Sequence, residues 1–228
     1  MRQTGSNATR PTDPITLVSV RVAQPRVIET LRTRGPVLSA IAKQAVTAAT
    51  LDLTVLNLAG DRQADLTVHG GPDKAVYVYP AKHLPRWNDE LGTEFGPGTF
   101  GENLTVTGAD ERTVRIGDVW AWGDAMLQVS QPRQPCYKLA MITGQPTIGR
   151  HMAETGRTGW YLRVLRSGTV PVAGPIHVAE RHPSVVTVLD AHRALLPDAT
   201  ADEIAAVLAI DALAVSWREP LADRLTWL

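Results

Sequence analysis

The chain holds one cysteine, Cys136, within "QPRQPCYKLA" at residues 131–140. Pro132 and Pro135 precede it, and Arg133 and Lys138 flank it. A lone cysteine packs as a small apolar side chain, attacks as a thiolate, or holds a soft metal. Its neighbours favour the reactive roles. Pro135 presets the backbone where a short helix through "YKLAMI" is expected to begin. A thiol in a first helical turn meets the positive end of the peptide dipoles, and Arg133 and Lys138 would lower its pKa further. Zinc is disfavoured, because the chain has no second cysteine and no His-x-x-x-His pair. A cysteine hydrolase needs a histidine partner, which spacing alone does not supply.

Two more stretches have the texture of a site. In "GDRQADLTVHGGPDKAVYVYP", residues 60–80, the glycines of His69-Gly70-Gly71-Pro72-Asp73 can turn backbone N–H groups into an anion-binding nest, or form an ordinary turn. Arg62, His69 and Lys74 can add side-chain donors there. In "GTFGENLTVTG", residues 98–108, Gly101 permits close backbone approach to a ligand. Asn103 can orient that ligand through its amide, and Glu102 can bind a cation or position a basic side chain.

The elements that must carry these residues are mostly strands up to about residue 180. "ITLVSVRV" at 15–22 reads as an opening strand, and "LDLTVLNL" at 51–58 alternates Leu51, Leu53 and Val55 on one face. "KAVYVYP" is apolar on both faces, which predicts a buried strand. "VWAWGDAMLQVSQ" at 119–131 predicts a hairpin turning at Gly123-Asp124. "WYLRVLRSGTVPV" predicts another, turning at Ser167-Gly168. A short helix is expected in "AKHLPRWNDEL", with Pro85 limiting its start. From about residue 184 the pattern turns helical: "VTVLDAHRALL" with Thr187 near its start, "TADEIAAVLAI" with a Thr200-x-x-Glu203 capping box, and "LAVSWREPLADRLTWL". In the last, Leu213, Trp217, Leu221, Leu225 and Leu228 recur at helical steps, and Pro220 is tolerable near a helix start or as a kink. Helices this short must dock on something. The expected organisation is a disordered leader at 1–14, a β-rich domain at 15–180 and a three-helix segment at 184–228.

A chain of 228 residues, 44% hydrophobic, has ample material for a core. Its apolar runs fall well short of the roughly 20 residues of a membrane span, and the polar N-terminus has no signal core. One cysteine forms no internal disulfide, so the cytoplasm is the expected compartment, with no membrane association. A formal net charge of zero argues against nucleic acid as a partner. Charge is nonetheless segregated. Residues 89–124 hold eight acids against Arg112 and Arg115, whereas residues 125–179 hold Glu154 against Arg133, Lys138, Arg150, Arg157, Arg163 and Arg166. This is either an interleaved, solvated surface or a pocket for a small anion such as phosphate.

Taken in order, "GDRQADLTVHGGPDKAVYVYP", "FGENLTVTG", "IGD" at 116–118 and "LQVSQPRQPCYKL" resemble the MOSC family, the C-terminal domain type of molybdenum cofactor sulfurases. "SAIAK" at 39–43 also fits. The likeness is nearest to the bacterial stand-alone YiiM-type proteins, which share a C-terminal three-helix appendage, and it spans nearly all of residues 15–228. It implies a mainly β, barrel-like fold with the cysteine at a pocket. Carried over from the related amidoxime-reducing enzymes, Cys136 becomes the protein ligand to molybdenum of the molybdopterin cofactor. The pterin phosphate would account for the cationic segment, with Arg62, His69, Lys74, Asn103, Arg133 and Lys138 as cofactor-binding residues. The implied activity is an oxidoreductase's: reduction of N-hydroxylated compounds such as hydroxylamino purines and amidoximes, a detoxification. The chain has no flavin, haem or iron–sulfur motif, so electrons would come from a separate redox protein. The alternatives are a sulfur-carrier or cofactor-delivery module using Cys136, and a metal-free thiol enzyme. The oligomeric state stays open, a homodimer included.

Overall fold

The computed structural model describes residues 14–28, 36–64 and 70–227. His69, Leu228 and all of the expected leader but Pro14 lie outside the described residues.

The strands are β1 (Ile15–Val22), β2 (Arg26–Ile28), β3 (Val37–Ser39), β4 (Gln44–Ala45), β5 (Thr50–Leu53), β6 (Val76–Pro80), β7 (Leu104–Thr107), β8 (Val119–Trp122), β9 (Ala125–Pro132), β10 (Trp160–Arg166), β11 (Gly168–Pro171) and β12 (Pro175–Glu180). The helices are α1 (His83–Leu91), α2 (Lys138–Thr143), α3 (Ile148–Thr155), α4 (Val188–Arg193), α5 (Ala201–Leu208) and α6 (Val215–Leu225). Seven strands run in the order β12-β8-β9-β10-β6-β7-β1, and β12 pairs again with β1, closing a barrel. Every pair in it is antiparallel except β6–β7. Strand β4 pairs with β1 at the barrel's edge, while β2–β3 and β5–β11 form separate ribbons. The fold is mainly β, as its texture and family likeness imply.

Strand β6 shows how alternation builds a site. All of its residues are buried. Val76 and Val78 join the barrel core with Trp120, Trp122, Trp160 and Leu127. Tyr77 and Tyr79, on the opposite face, join a second cluster with Trp87 of α1, Leu139 of α2, Ile148 and Met152 of α3, and Phe100. The barrel wall therefore carries two tyrosines on its outer side under a cover of short helices.

Two expectations are corrected. The 119–131 hairpin forms, with Trp122 opposite Ala125, but Ser167-Gly168 does not turn a second hairpin. Beyond it the chain leaves the barrel, and β11 pairs with β5. It crosses the β8–β9 tip, where the Asp124 N–H bonds to the Thr169 carbonyl at 3.0 Å. Alternation also fails past Leu53. Thr54 to Asn57 form a turn, Val55 is exposed and Leu58 is buried instead. The chain adds α3, which its sequence pattern did not announce.

The C-terminal helices share the barrel's core cluster through Val188, Ile204, Val207, Trp217 and Leu221. Capping boxes start α4, from Thr187 with Asp190, and α5, from Thr200 with Glu203. Pro220 falls inside α6, beyond the first turn where proline costs least. The N-terminal end of α6 is tied to β9: the Ala214 N–H bonds to the Ser130 carbonyl at 3.0 Å and the Ser216 hydroxyl to the Gln131 amide oxygen at 2.9 Å.

Candidate active site

Strand β9 ends at Pro132, where a proline ends ladder donation, and the chain runs irregularly through Arg133–Cys136 before α2. The Cys136 carbonyl receives the Leu139 N–H at 3.1 Å, so the cysteine caps the entry to that helix. Its side chain is half-buried. It opens on a cavity of about 610 Å³, counted to its open mouth.

Arg62, Lys74, Asn103, Arg133, Cys136 and Lys138 all line this one cavity, although they come from four separate stretches. His69 lies outside the described residues. The wall also holds Lys43, Asp61, Tyr77 and Tyr161, which motif reading passed over. Among the described residues, its charged side chains are five cations (Lys43, Arg62, Lys74, Arg133 and Lys138) against Asp61. The cavity is thus a strongly positive concavity.

Arg133 is the group nearest in kind to a sensor of the thiol. It is 4% exposed, its Nη2 lies 4.0 Å from the Cys136 sulfur, and its guanidinium carbon sits 5.2 Å from the centre of the Tyr77 ring. Burial opposes its charge, but the oxygens of Tyr77 and Tyr161 and the Cys136 sulfur outweigh burial, so its pKa stands above the ordinary arginine value. Its Nη1 is buried with no hydrogen-bond partner among the described residues. Burial pushes the phenols of Tyr77 and Tyr161 up, with Arg133 pulling the other way, so both stay neutral and apolar-faced.

Lys43 and Asp61 form a buried ion pair at 2.5 Å. Burial pulls the Lys43 pKa below the usual lysine range, and Asp61 restores only part of it. Asp61 also accepts the Ala23 N–H at 2.7 Å and an Asn103 amide proton at 2.9 Å. Burial likewise lowers the pKa of Lys74, against the pull of Asp73.

The roles offered to Asn103, Glu102 and Gly101 change on inspection. Asn103 spends its amide on the protein: its oxygen accepts the Tyr77 N–H at 3.0 Å, and its nitrogen donates to Asp61 and to the Arg21 carbonyl. It stitches the site together. Glu102, fully buried, accepts the Gly98 and Phe100 N–H groups and the Thr105 hydroxyl, holding its own loop. Gly101, at φ 79°, approaches the chain itself, since a Cβ there would stand 2.6 Å from Ile41 Cγ1. The cationic segment divides as well. Arg157 pairs with Glu90 and Arg163 with Asp73, so only Arg133 and Lys138 of that segment face the cavity.

Lys43 and Asp61 are 18 residues apart and pair only through the fold. Lys43 closes "SAIAK" and Asp61 stands second in the 60–80 stretch, but neither is singled out there. Tyr77 was visible in the both-faced apolarity of "KAVYVYP". Among the described residues no three His, Cys, Asp or Glu side chains converge on a metal position, so a metal here would have Cys136 as its one cavity thiol. No helix among the described residues is long and apolar enough to cross a membrane.

Comparison with known proteins agrees with this geometry. The MOSC domain, a type associated with molybdenum cofactor binding, matches residues 65–177. YflK of Bacillus subtilis (strain 168) is 45% identical over 163 residues, covering 71% of this chain and 74% of its own. The crystal structure of YiiM from Geobacillus stearothermophilus superposes with a TM-score of 0.78 at 31% identity, covering 93% of this chain and all of that one. A protein named "Reductase" from Gibberella moniliformis (strain M3125 / FGSC 7600) is 34% identical over 165 residues, which is 71% of this chain but 29% of that protein. A cysteine at the wall of a cationic cavity beside a closed barrel, in a chain so closely matched along its length, makes this protein a member of the MOSC family.

Proposed function

We propose that the protein binds the molybdenum–molybdopterin cofactor in the Cys136 cavity and reduces N-hydroxylated compounds with electrons from a separate redox protein. The observation that carries this reading is the chain's only cysteine in the wall of a cavity whose cations, among the described residues, outnumber acids five to one. The donor set fits the group. A thiolate suits a soft metal, and the buried, unpartnered Nη1 of Arg133 is a ready donor for a phosphate or pterin oxygen. The relative named as a reductase supports an oxidoreductase, and the family's association with the cofactor supports its identity.

When bound, the group supplies the two-electron chemistry that breaks the N–O bond. The rest falls to the chain. Cys136 anchors, with Arg133 beside it favouring the thiolate. Lys138 and Lys74 neutralise anionic groups, and Tyr77 and Tyr161 give flat apolar walls suited to a heteroaromatic ring. Converting R–NH–OH to R–NH₂ and water consumes an electron pair and a pair of protons. Lys43, whose burial eases proton release and which lines the cavity, gives one proton, water entering by the open mouth gives the second and reprotonates the lysine, and Asp61 holds the ammonium group in place.

The test is metal and pterin content after expression in cells that make molybdopterin, followed by turnover of a hydroxylamino purine with a chemical reductant. Wild type retains both and turns over. Cys136→Ala loses most of the metal. Cys136→Ser keeps pterin through its phosphate and ring contacts and loses activity. Full activity in Cys136→Ser rules the reading out. Tight cofactor binding without turnover, across a broad substrate panel and several donors, replaces it with a delivery module.

A further inference from the structure

A second cavity, about 1000 Å³ to its open mouth, lies across the tyrosine pair from the first. The tyrosines of β6 link the linings of the two, which have no described residue in common. The Tyr77 hydroxyl donates to the Thr158 carbonyl and the Tyr79 hydroxyl to the Arg157 carbonyl, while the Tyr79 ring packs 5.8 Å from the His83 ring. The cations of this second cavity are Lys82, Arg86, Arg112 and Arg157, with His83 beside them.

Its two acids are already engaged. Asp110 accepts the N–H groups of Arg112 and Thr113 and pairs with Lys82. Glu111 accepts from the His83 ring at 2.7 Å and from the Gly159 N–H at 2.7 Å. Behind the wall, Glu90 pairs with both Arg86 and Arg157. Even with Glu90 counted, four cations face three acids.

Arg157 is the unusual member. It is 6% exposed, and its guanidinium carbon lies over the Trp87 ring, 3.5 Å from the ring centre. Its Nη2 meets Glu90 at 2.6 Å, yet Nε and Nη1 are buried without a partner among the described residues. Buried donors rarely stay unpaired, because desolvation without a new bond is costly. A guanidinium seated against Trp87, with buried and unsatisfied N–H groups in the wall of a cationic cavity, has the donors that oxyanions of phosphorus pair with.

We propose that this cavity is a second anion site, taking phosphate or a phosphate monoester, with Arg157 as its buried anchor and Lys82 and Arg112 as its rim. The proposal does not depend on the molybdenum reading, and its test uses the cofactor-free full chain. Inorganic phosphate is titrated calorimetrically into three proteins: wild type, Lys82→Ala/Arg112→Ala, and Arg133→Ala/Lys138→Ala, which strips the Cys136 cavity. Lys82 and Arg112 are exposed, so their loss should leave the fold intact, as thermal unfolding will register. Binding should persist in Arg133→Ala/Lys138→Ala and weaken about tenfold in Lys82→Ala/Arg112→Ala, the scale of lost charge-assisted contacts. Arg157→Lys, which keeps charge and loses the fork, should weaken it similarly. Adenosine monophosphate binding more tightly than phosphate assigns the site to esters, and equal binding assigns it to the free oxyanion. Unchanged affinity in Lys82→Ala/Arg112→Ala, or no phosphate binding once the Cys136 cavity is stripped, overturns the proposal.

Discussion

Arg133 stands 4.0 Å from the Cys136 sulfur, close enough for its charge to favour the thiolate over the thiol. Arg133→Leu should therefore slow alkylation of Cys136 by iodoacetamide at neutral pH by roughly tenfold, with Arg133→Lys intermediate. Equal rates in all three proteins would remove the guanidinium from the thiol's chemistry. The Lys43–Asp61 pair makes a second prediction at this scale. Its side chains are 9% and 1% exposed, so removing one partner strands a buried charge. Asp61→Ala should cost about 3–5 kcal/mol in urea unfolding, and Lys43→Met/Asp61→Leu should recover much of it. These residues also mark how far the sequence could be read. The prolines and cations around Cys136 are local signals, and so were legible. The ion pair is not, because nothing near Lys43 announces Asp61. Asn103 was legible as a site residue but not in its role, since a free amide and one bonded to three parts of its own chain look alike in a sequence.

The elements divide the same way. The β8–β9 hairpin was legible because Gly123-Asp124 sits at its own turn, whereas β11 pairs with β5, more than a hundred residues upstream in the Thr169–Asp52 contact. Helix α3 hides because Gly149 and two threonines bracket only Ile148 and Met152 as buried apolar residues. Helices α4 and α5 were legible from their caps, and each cap is testable. Thr200→Ala should lower stability by about 1 kcal/mol, read from the urea midpoint, and no loss would mean the box is solvated. His192 of α4 makes a sharper test. Its Nε2 meets the Ala153 carbonyl of α3 at 2.6 Å and its Nδ1 is buried without a partner among the described residues. Burial holds its pKa below the ordinary 6.5. As pH falls below 6.5, the unfolded chain takes up a proton that the folded one refuses, so stability drops with acid until the folded value is reached. His192→Gln should flatten that part of the stability–pH curve, and an unchanged slope would assign the acid limb elsewhere.

At the scale of the molecule, the helices that begin near residue 184 are continuous with the barrel's core. A chain ending at residue 183 loses Trp217 and Leu221, both nearly or fully buried, uncovers the barrel residues that share their cluster, and is expected to aggregate rather than yield a working barrel. Solubility and a sharp thermal transition in that truncation would make the helices a true appendage. Their tie to β9 also reaches the site. Ser216 bonds to Gln131, two residues before Arg133. Ser216→Ala should leave the melting temperature within a few degrees of wild type while loosening the Arg133–Cys136 segment. Faster hydrogen exchange confined to residues 131–139 would show it, and unchanged exchange there would deny it.

The closure of the barrel by β12 on β1 has a consequence in time. Ile15 finds its partner Ile176 only after that residue has been made, and until then β1, already able to pair with β4 and β7, keeps one sheet edge open. A growing chain therefore cannot shut its wall until late in synthesis, and folding dominated by such distant pairings is slow. Every described part of the Cys136 cavity, from Ser39 to Tyr161, lies between those two closing strands in sequence. The described wall of the pocket is therefore complete as sequence before the strand that shuts the barrel is made, and β12 fixes the frame of a site to which it contributes no described lining residue.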